Sequence, residues 1–417
     1  MTALLDTIKS AGGSMADWTV MSNLTDPYRL DTPANHRDAK WLAGAFAQGK
    51  LVQIHCRGLH YTIVSMPELR KPNGEPYLND IDNWTWLQRT AGVARWLGYI
   101  DFEAITDERN AGPELWIPPT FEEAGLRIAH VADDLAWPPE MPSIEIKCQA
   151  PYARQAYKLV LIGEKSSLRT VLQPICRKYE AELILPTGEL STTLLHGIVQ
   201  RAAADGRPTR VFYLSDFDPS GVHMPVEVAR KIQALCDLKF QGLDIELHRC
   251  ALLAHQVEAM GLPETPLKDS ERRADKWRER FNCEQTEIDA LATLQAGTLA
   301  AIVENDLKPY FDPTLQQRQR LAYAQAAQAM RSTIKAAQAP FQKQIEQAQE
   351  LIDIAAQKLA DAHEFCKPLF DDIADGIDFV DVETVKPELD PFGFASPMFS
   401  SKDDFQTTTS NLRGEKL

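Results

Sequence analysis

The chain has 417 residues, 44% hydrophobic and 25% charged, which is the balance of a soluble globular protein long enough for two or three domains. No apolar run approaches the roughly 18 residues that span a bilayer, and Met1-Thr2-Ala3-Leu4-Leu5-Asp6 carries no secretion-signal pattern. Seven scattered cysteines, none in Cys-x-x-Cys, argue against zinc and disulfides and for a reducing cytoplasm, while a net charge of −15 excludes a uniformly basic protein.

Residues 1–35 read as a polar N-terminal extension. From 36 to 145, helical patterns alternate with Pro, Asn and Gly turns. Here Ile54-His55-Cys56-Arg57-Gly58-Leu59-His60-Tyr61 places Arg57 and Tyr61 four apart, on one face of a helix. A cation beside a tyrosine favours the phenolate, the form a tyrosine nucleophile needs. The plain alternative is a tyrosine whose ring packs inward and whose hydroxyl bonds outward. Arg57, Arg70, Lys71, Arg89, Arg95, Arg109, Arg169, Arg272, Arg273 and Lys276 are candidates for a local cationic groove, although each taken singly reads as a solvated charge. Pro138, Pro139 and Pro142 mark a boundary.

Residues 151–313 alternate strand-like and helical runs, as in an α/β domain with a parallel sheet. The predicted strands are Leu159–Gly163, Glu182–Leu185, Arg210–Ser215 and Asp244–Arg249. The predicted helices include Leu168–Tyr179, Leu190–Ala204 and Pro225–Leu238. Two strands run into acids: Lys158-Leu159-Val160-Leu161-Ile162-Gly163-Glu164 and Val211-Phe212-Tyr213-Leu214-Ser215-Asp216-Phe217-Asp218. Alternation points Asp216 and Asp218 to one side. In parallel sheets, functional groups collect at the carboxyl ends of strands, so Glu164, Asp216 and Asp218 are expected to converge there. Close carboxylates repel and call for a cation, and oxygen-only ligands favour Mg²⁺ or Mn²⁺. Asp216-Phe217-Asp218-Pro219-Ser220-Gly221 also fits a strand-ending turn.

Residues 314–366 lack glycine and are rich in Ala, Gln, Lys and Glu. Ile345, Ile352 and Leu359 recur every seven residues, with Phe341, Ala348 and Ala355 between them, as in a short coiled-coil seam. Pro340 should break the run into a helical hairpin or an oligomerisation arm. Residues 367–417 read as an acidic, disordered tail. Residues 371–417 alone hold eleven Asp/Glu against four Lys/Arg, which places −7 of the charge there.

Glu164 at one strand end, followed by Asp216-x-Asp218 at another, resembles the Toprim domain. The extension to Asp-x-Asp-Pro-x-Gly is similar to topoisomerase VI A subunits and the related meiotic double-strand-break proteins. Arg57-Gly58-Leu59-His60-Tyr61 resembles the Arg-x-x-aromatic-Tyr motif on the winged-helix domain of that family. Pro76-Tyr77-Leu78-Asn79 and Ala94-Arg95-Trp96-Leu97-Gly98-Tyr99 resemble bacterial and mobile-element relatives, and Glu287-Ile288-Asp289 resembles the C-terminal part of the same Toprim module. The resemblance spans roughly residues 40–310. Lys165 stands where the family carries Gly, and His60 where it carries an aromatic neighbour.

The resemblance implies a winged-helix-like domain at 36–145, a Toprim domain at 151–313, and C-terminal helices outside the family. It implies Mg²⁺ on Glu164, Asp216 and Asp218, attack on DNA by Tyr61 with Arg57 assisting, and a homodimer on double-stranded DNA near the nucleoid. The chain carries no Walker-type phosphate loop, so ATP coupling would come from a separate subunit. His60 and His223 are candidate proton shuttles. The alternative is a Toprim nuclease of a defence or plasmid-maintenance complex, which cleaves with water and leaves Tyr61 structural. A non-catalytic DNA-binding or assembly protein is a third reading.

Overall fold

The computed structural model describes residues 20–375 except 109, 111, 123 and 132–142. Contacts divide the chain into two compact units, residues 1–129 with 146–333 and residues 130–145 with 334–417. Arg109, the proline boundary at 138–142 and the tail from 376 onward lie outside the described residues.

In the first unit, α1 (Pro33–Gln48), α2 (Cys56–Val64) and α3 (Ile81–Trp96) pack around Leu42, Phe46, Leu59, Ile63, Leu87 and Ala94. Burial of each large side chain here contributes about 1.5–3 kcal/mol. Helix starts follow local chemistry. Thr32 and Asp80 accept backbone N–H groups of the first turns of α1 and α3, and Pro33 opens α1, where its missing N–H costs nothing. Two short strands, β1 (Ile54–His55) and β2 (Ile105–Thr106), pair in parallel beside these helices. The elements β3 (Gly125–Val131) and β4 (Ser143–Gln149), which fall only in part within this unit, form a separate two-stranded sheet.

The centre of the unit is an all-parallel sheet of β5 (Lys158–Gly163), β6 (Glu182–Ile184), β7 (Thr209–Leu214) and β8 (Ile245–Ala251), in spatial order β6-β5-β7-β8. Both faces are covered, which explains the continuous apolar runs of β5 and β7. Leu159, Leu161, Phe212 and Leu214 face one layer, built from α4 (Arg169–Tyr179), α9 (Ile288–Leu294) and α10 (Ala296–Leu307). Val160, Ile162, Val211 and Tyr213 face the other, built from α5 (Thr192–Asp205) and α6 (Pro219–Leu238). Helices α7 (Ala254–Met260) and α8 (Ala274–Phe281) follow β8 and contribute Val257 and Trp277 to the first layer. The outer edge of β6 is closed by Glu114, which exchanges both backbone hydrogen bonds with Leu183 at 2.8 and 3.0 Å. The sequence separates residues 36–145 from 151–313. Up to residue 129 the two regions fall in one compact unit, and Phe102 belongs to the core on the α5–α6 face.

All four predicted strands are present, with ends shifted by two residues at most. The main departure is α6, which begins at Pro219 rather than Pro225. The Asp-Pro-Ser-Gly sequence that fits a turn is a helix start. Asp218 is the cap that accepts from the Gly221 N–H, Pro219 takes the first helical position, and Pro225 lies inside the helix.

Helix α11 (Leu315–Gln338) is followed by a 3-10 turn at Ala339–Phe341, so Pro340 does end the first long helix. In the second unit, α12 (Gln342–Asp375) runs through Pro368 and so takes up residues 367–375, read from sequence as the start of the tail. Ile345, Ala348, Ile352 and Leu359 form a half-buried stripe, while Phe341 and Ala355 are exposed. No helix among the described residues is long and apolar enough to cross a membrane.

Candidate metal centre at the carboxyl edge of the sheet

The strand order fixes where a site can form. From β5 the chain passes through α4 to β6 on one side. It then returns through α5 to β7 on the other side of β5. Helices α4 and α6, which leave the ends of β5 and β7, cover opposite faces. The strand order therefore reverses between β5 and β7, and a crevice opens at their carboxyl ends. Glu164 is the first residue past β5, and Asp216 the second past β7. The register pairs Gly163 with Leu214, so the two acids leave the sheet side by side.

Main-chain hydrogen bonds pin them. The Asp216 N–H donates to Glu164 Oε2 at 3.0 Å, and the Ile288 N–H donates to Asp216 Oδ1 at 2.7 Å. Asp218 is held two residues on as the cap of α6. Asp216 is only 8% exposed. Burial raises the Glu164 carboxyl to about 6; the Asp216 N–H opposes this, and the charges of Asp216 and Asp218 add to it. Burial also raises Asp216, against the Ile288 N–H and Lys165, with Asp218 adding to the rise. Glu164 and Asp216 thus stand side by side at this edge, and Asp218 follows two residues on, its charge felt by both.

Lys165 supplies the positive charge there. Its Nζ lies 2.9 Å from Asp216 Oδ2, 3.1 Å from Glu287 Oε2 and 3.2 Å from Asp289 Oδ2. Burial disfavours the ammonium, but the Asp216, Glu287 and Asp289 carboxylates hold its pKa above the ordinary lysine value. Glu287 and Asp289 arrive through the antiparallel bridge between Phe217 and Thr286, and Ser167 donates its hydroxyl to Asp289. The sequence marks this stretch but does not pair either acid with Lys165, because the long-range bridge and the Ile288 N–H on Asp216 bring them here. Arg273 flanks the rim, donating to the Pro219 carbonyl and Ser220 Oγ at 2.9 Å.

The donor set is all oxygen, which suits a hard divalent cation. As the side chains stand, no group of three or more His, Cys, Asp or Glu among the described residues is arranged to hold a metal. Asp216 is turned to Lys165 instead.

No protein-family model matches this chain, and no curated protein matches it.

The second predicted constellation lies on α2. Arg57 and Tyr61 do share its exposed face, with Tyr61 51% exposed. Among the described residues no hydrogen bond joins them. The Arg57 guanidinium lies 5.3 Å from the centroid of the Trp84 ring. His60 is buried, with Nδ1 2.6 Å from the Tyr77 hydroxyl, Nε2 3.0 Å from Asn79 Oδ1, and its ring against Tyr61, Tyr77 and Trp84. This is a packed, doubly hydrogen-bonded core histidine. The proton-shuttle expectation for His60 therefore gives way to a structural role. His223 is half-buried on α6. Gly58 sits in α2 because His55 Nδ1 caps the helix by accepting the Gly58 N–H; a Cβ at Gly58 would lie 3.0 Å from Ile54 and 3.1 Å from His55 Nε2.

Arg57 and Arg95 line a cavity of about 970 Å³ between α2, α3 and the loop entering α5. Arg95 is not the surface charge that the sequence suggests. It is buried in the last turn of α3 and donates to Thr193 Oγ1 at 2.9 Å, and burial lowers its pKa to about 10.

Proposed function

We propose that this chain is a metal-dependent DNA-cleaving protein of topoisomerase VI A-like type, with winged-helix-like and Toprim-like parts. The observation that supports this reading is the bond from the Asp216 N–H to Glu164 at the reversal point of the parallel sheet, with Asp218 capping the helix that starts beside them. In this reading Glu164, Asp216 and Asp218 hold Mg²⁺ or Mn²⁺, which supplies charge stabilisation at a scissile phosphate. Lys165 and Arg273 stand at the same rim, Lys165 paired with Asp216, Glu287 and Asp289 and Arg273 with Glu271, so in this reading phosphate would bind by exchanging with these carboxylates.

The nucleophile divides two readings. Exposure of Tyr61 on α2 supports transesterification, in which the phenolic oxygen bonds to phosphorus, the 3′ oxygen leaves, and a 5′-phosphotyrosyl end remains. Stacking of Arg57 on Trp84 supports the second reading, a Toprim-type nuclease that uses water. The three acids serve both. A homodimer on double-stranded DNA, and a separate ATPase subunit, belong to the first reading.

The test is cleavage of supercoiled plasmid with Mg²⁺ or Mn²⁺ by wild type, Tyr61→Phe and Asp216→Ala, with products resolved before and after protease. Loss of cutting in both variants, with protein-linked ends from wild type, supports transesterification. Loss in Asp216→Ala alone, with free ends, supports hydrolysis. Full activity in Asp216→Ala removes both readings.

A further inference from the structure

We propose that Lys165 is a built-in counter-ion of the acidic edge, and that a divalent cation binds there only by displacing its ammonium from Asp216. This deepens the metal reading given above and rests on it.

The argument is one of oxygen occupancy and charge. The Lys165 ammonium has three N–H donors, and three carboxylate oxygens surround it at 2.9–3.2 Å: Asp216 Oδ2, Glu287 Oε2 and Asp289 Oδ2. Asp216 Oδ1 already accepts the Ile288 N–H. Oδ2 is thus the Asp216 oxygen with no backbone donor on it, and it is the one that Lys165 holds. An ammonium and a divalent ion at the same oxygen repel each other, and partial burial strengthens that repulsion. Glu164 and Asp218, in contrast, bond among the described residues to backbone N–H groups, those of Asp216 and Gly221. The edge therefore has two acids preset toward backbone donors and one engaged by a lysine.

The anchorage also makes the lysine releasable. Lys165 lies next to Glu164 at the strand exit, and its side chain keeps 24% exposure. Glu287 and Asp289 are 45% and 36% exposed, so they can retain the ammonium at a small displacement from Asp216. The four-carbon stem supplies the freedom for that movement. Lys165 would act here as a positioning residue that sets the metal affinity of Asp216.

The experiment is Mn²⁺ titration of the full chain, followed by isothermal calorimetry and by the electron paramagnetic resonance signal of free Mn²⁺. Wild type is compared with Lys165→Met, Lys165→Arg and Lys165→Met/Asp216→Asn. Lys165→Met should bind Mn²⁺ tighter by about tenfold or more, Lys165→Arg should stay near wild type, and the double variant should lose the gain. Metal-free Lys165→Met should melt below wild type and recover with Mn²⁺. If Lys165→Met does not fold, Lys165→Gln takes its place in every comparison. Mn²⁺ binding of equal strength in wild type and the neutral variant overturns the displacement and leaves the metal reading standing. A gain that survives Asp216→Asn places the ion elsewhere and also overturns it. Absence of Mn²⁺ binding in all variants overturns the metal reading and this inference together.

Discussion

Gly221 is the position where a single methyl group should most damage the acidic edge. A Cβ built there lies 2.2 Å from the Asp216 carbonyl oxygen, 3.0 Å from its carbon and 3.2 Å from its nitrogen. The obstacle is backbone, which cannot rotate aside as a side chain would. The same Asp216 backbone holds Glu164, and the Ser215 hydroxyl donates to the Gly221 carbonyl at 2.8 Å. Relief requires a separation of about 1 Å between the start of α6 and the end of β7, at the upper end of the 1–3 kcal/mol typical of overpacking. Gly221→Ala should therefore lower stability by about 3 kcal/mol and the melting midpoint by about 3–5 °C in a unit of this size. Gly92, in α3, is the control, because a Cβ there meets nothing within 4 Å. Gly92→Ala should gain about 0.5–1 kcal/mol. Differential scanning calorimetry of the two variants measures both effects. A Gly221→Ala protein that melts with wild type would refute the reasoning, as would equal damage from Gly92→Ala.

Four further outcomes are expected. Folding raises the Glu164 pKa from the usual 4.5 to about 6, so the metal-free protein should gain stability from this group as pH falls from 6 towards 4.5. Mn²⁺ needs the ionised carboxylate, so the rise in melting temperature on adding Mn²⁺ should be larger at pH 7 than at pH 5; the reverse order would contradict the site. Ser191 caps α5 by accepting the Leu194 N–H at 3.2 Å, and Ser191→Ala should cost about 1 kcal/mol in urea unfolding. Glu182 is 3% exposed between Lys158, at 3.3 Å, and Arg201. Glu182→Ala strands two cations and should cost about 3 kcal/mol by the same assay, whereas a loss under 1 kcal/mol would mean that solvent replaces the carboxylate freely.

The acids were legible in the sequence for a local reason. Each ends an apolar run, and parallel strands with buried faces write such runs plainly. Their shared edge follows from connectivity, since helical stretches between the runs imply parallel pairing. The start of α6 was misread because Asp-Pro-x-Gly serves a turn and a capped helix equally well. Which one forms depends on how closely the helix can approach the Asp216 carbonyl. Lys165 is visible in the sequence as the cation next to Glu164, but its partners are not. Glu287 and Asp289 lie 122 and 124 positions further on, and the pairing of Phe217 with Thr286 and the Ile288 N–H on Asp216 bring them near. Arg95 shows the reverse error: a charged residue in a helical pattern reads as solvated, whereas Thr193 and the loop before α5 enclose it.

The bridge between Glu114 and Leu183 has a practical meaning for anyone dividing this chain. Sequence reasoning sets the start of the α/β part at residue 151, yet the strand guard for β6 comes from residue 114. A fragment cut at 151 would present the bare N–H and C=O groups of β6 to its neighbours, an invitation to add strands between molecules. Such a piece should sediment as higher oligomers, and one beginning before Glu114 should not.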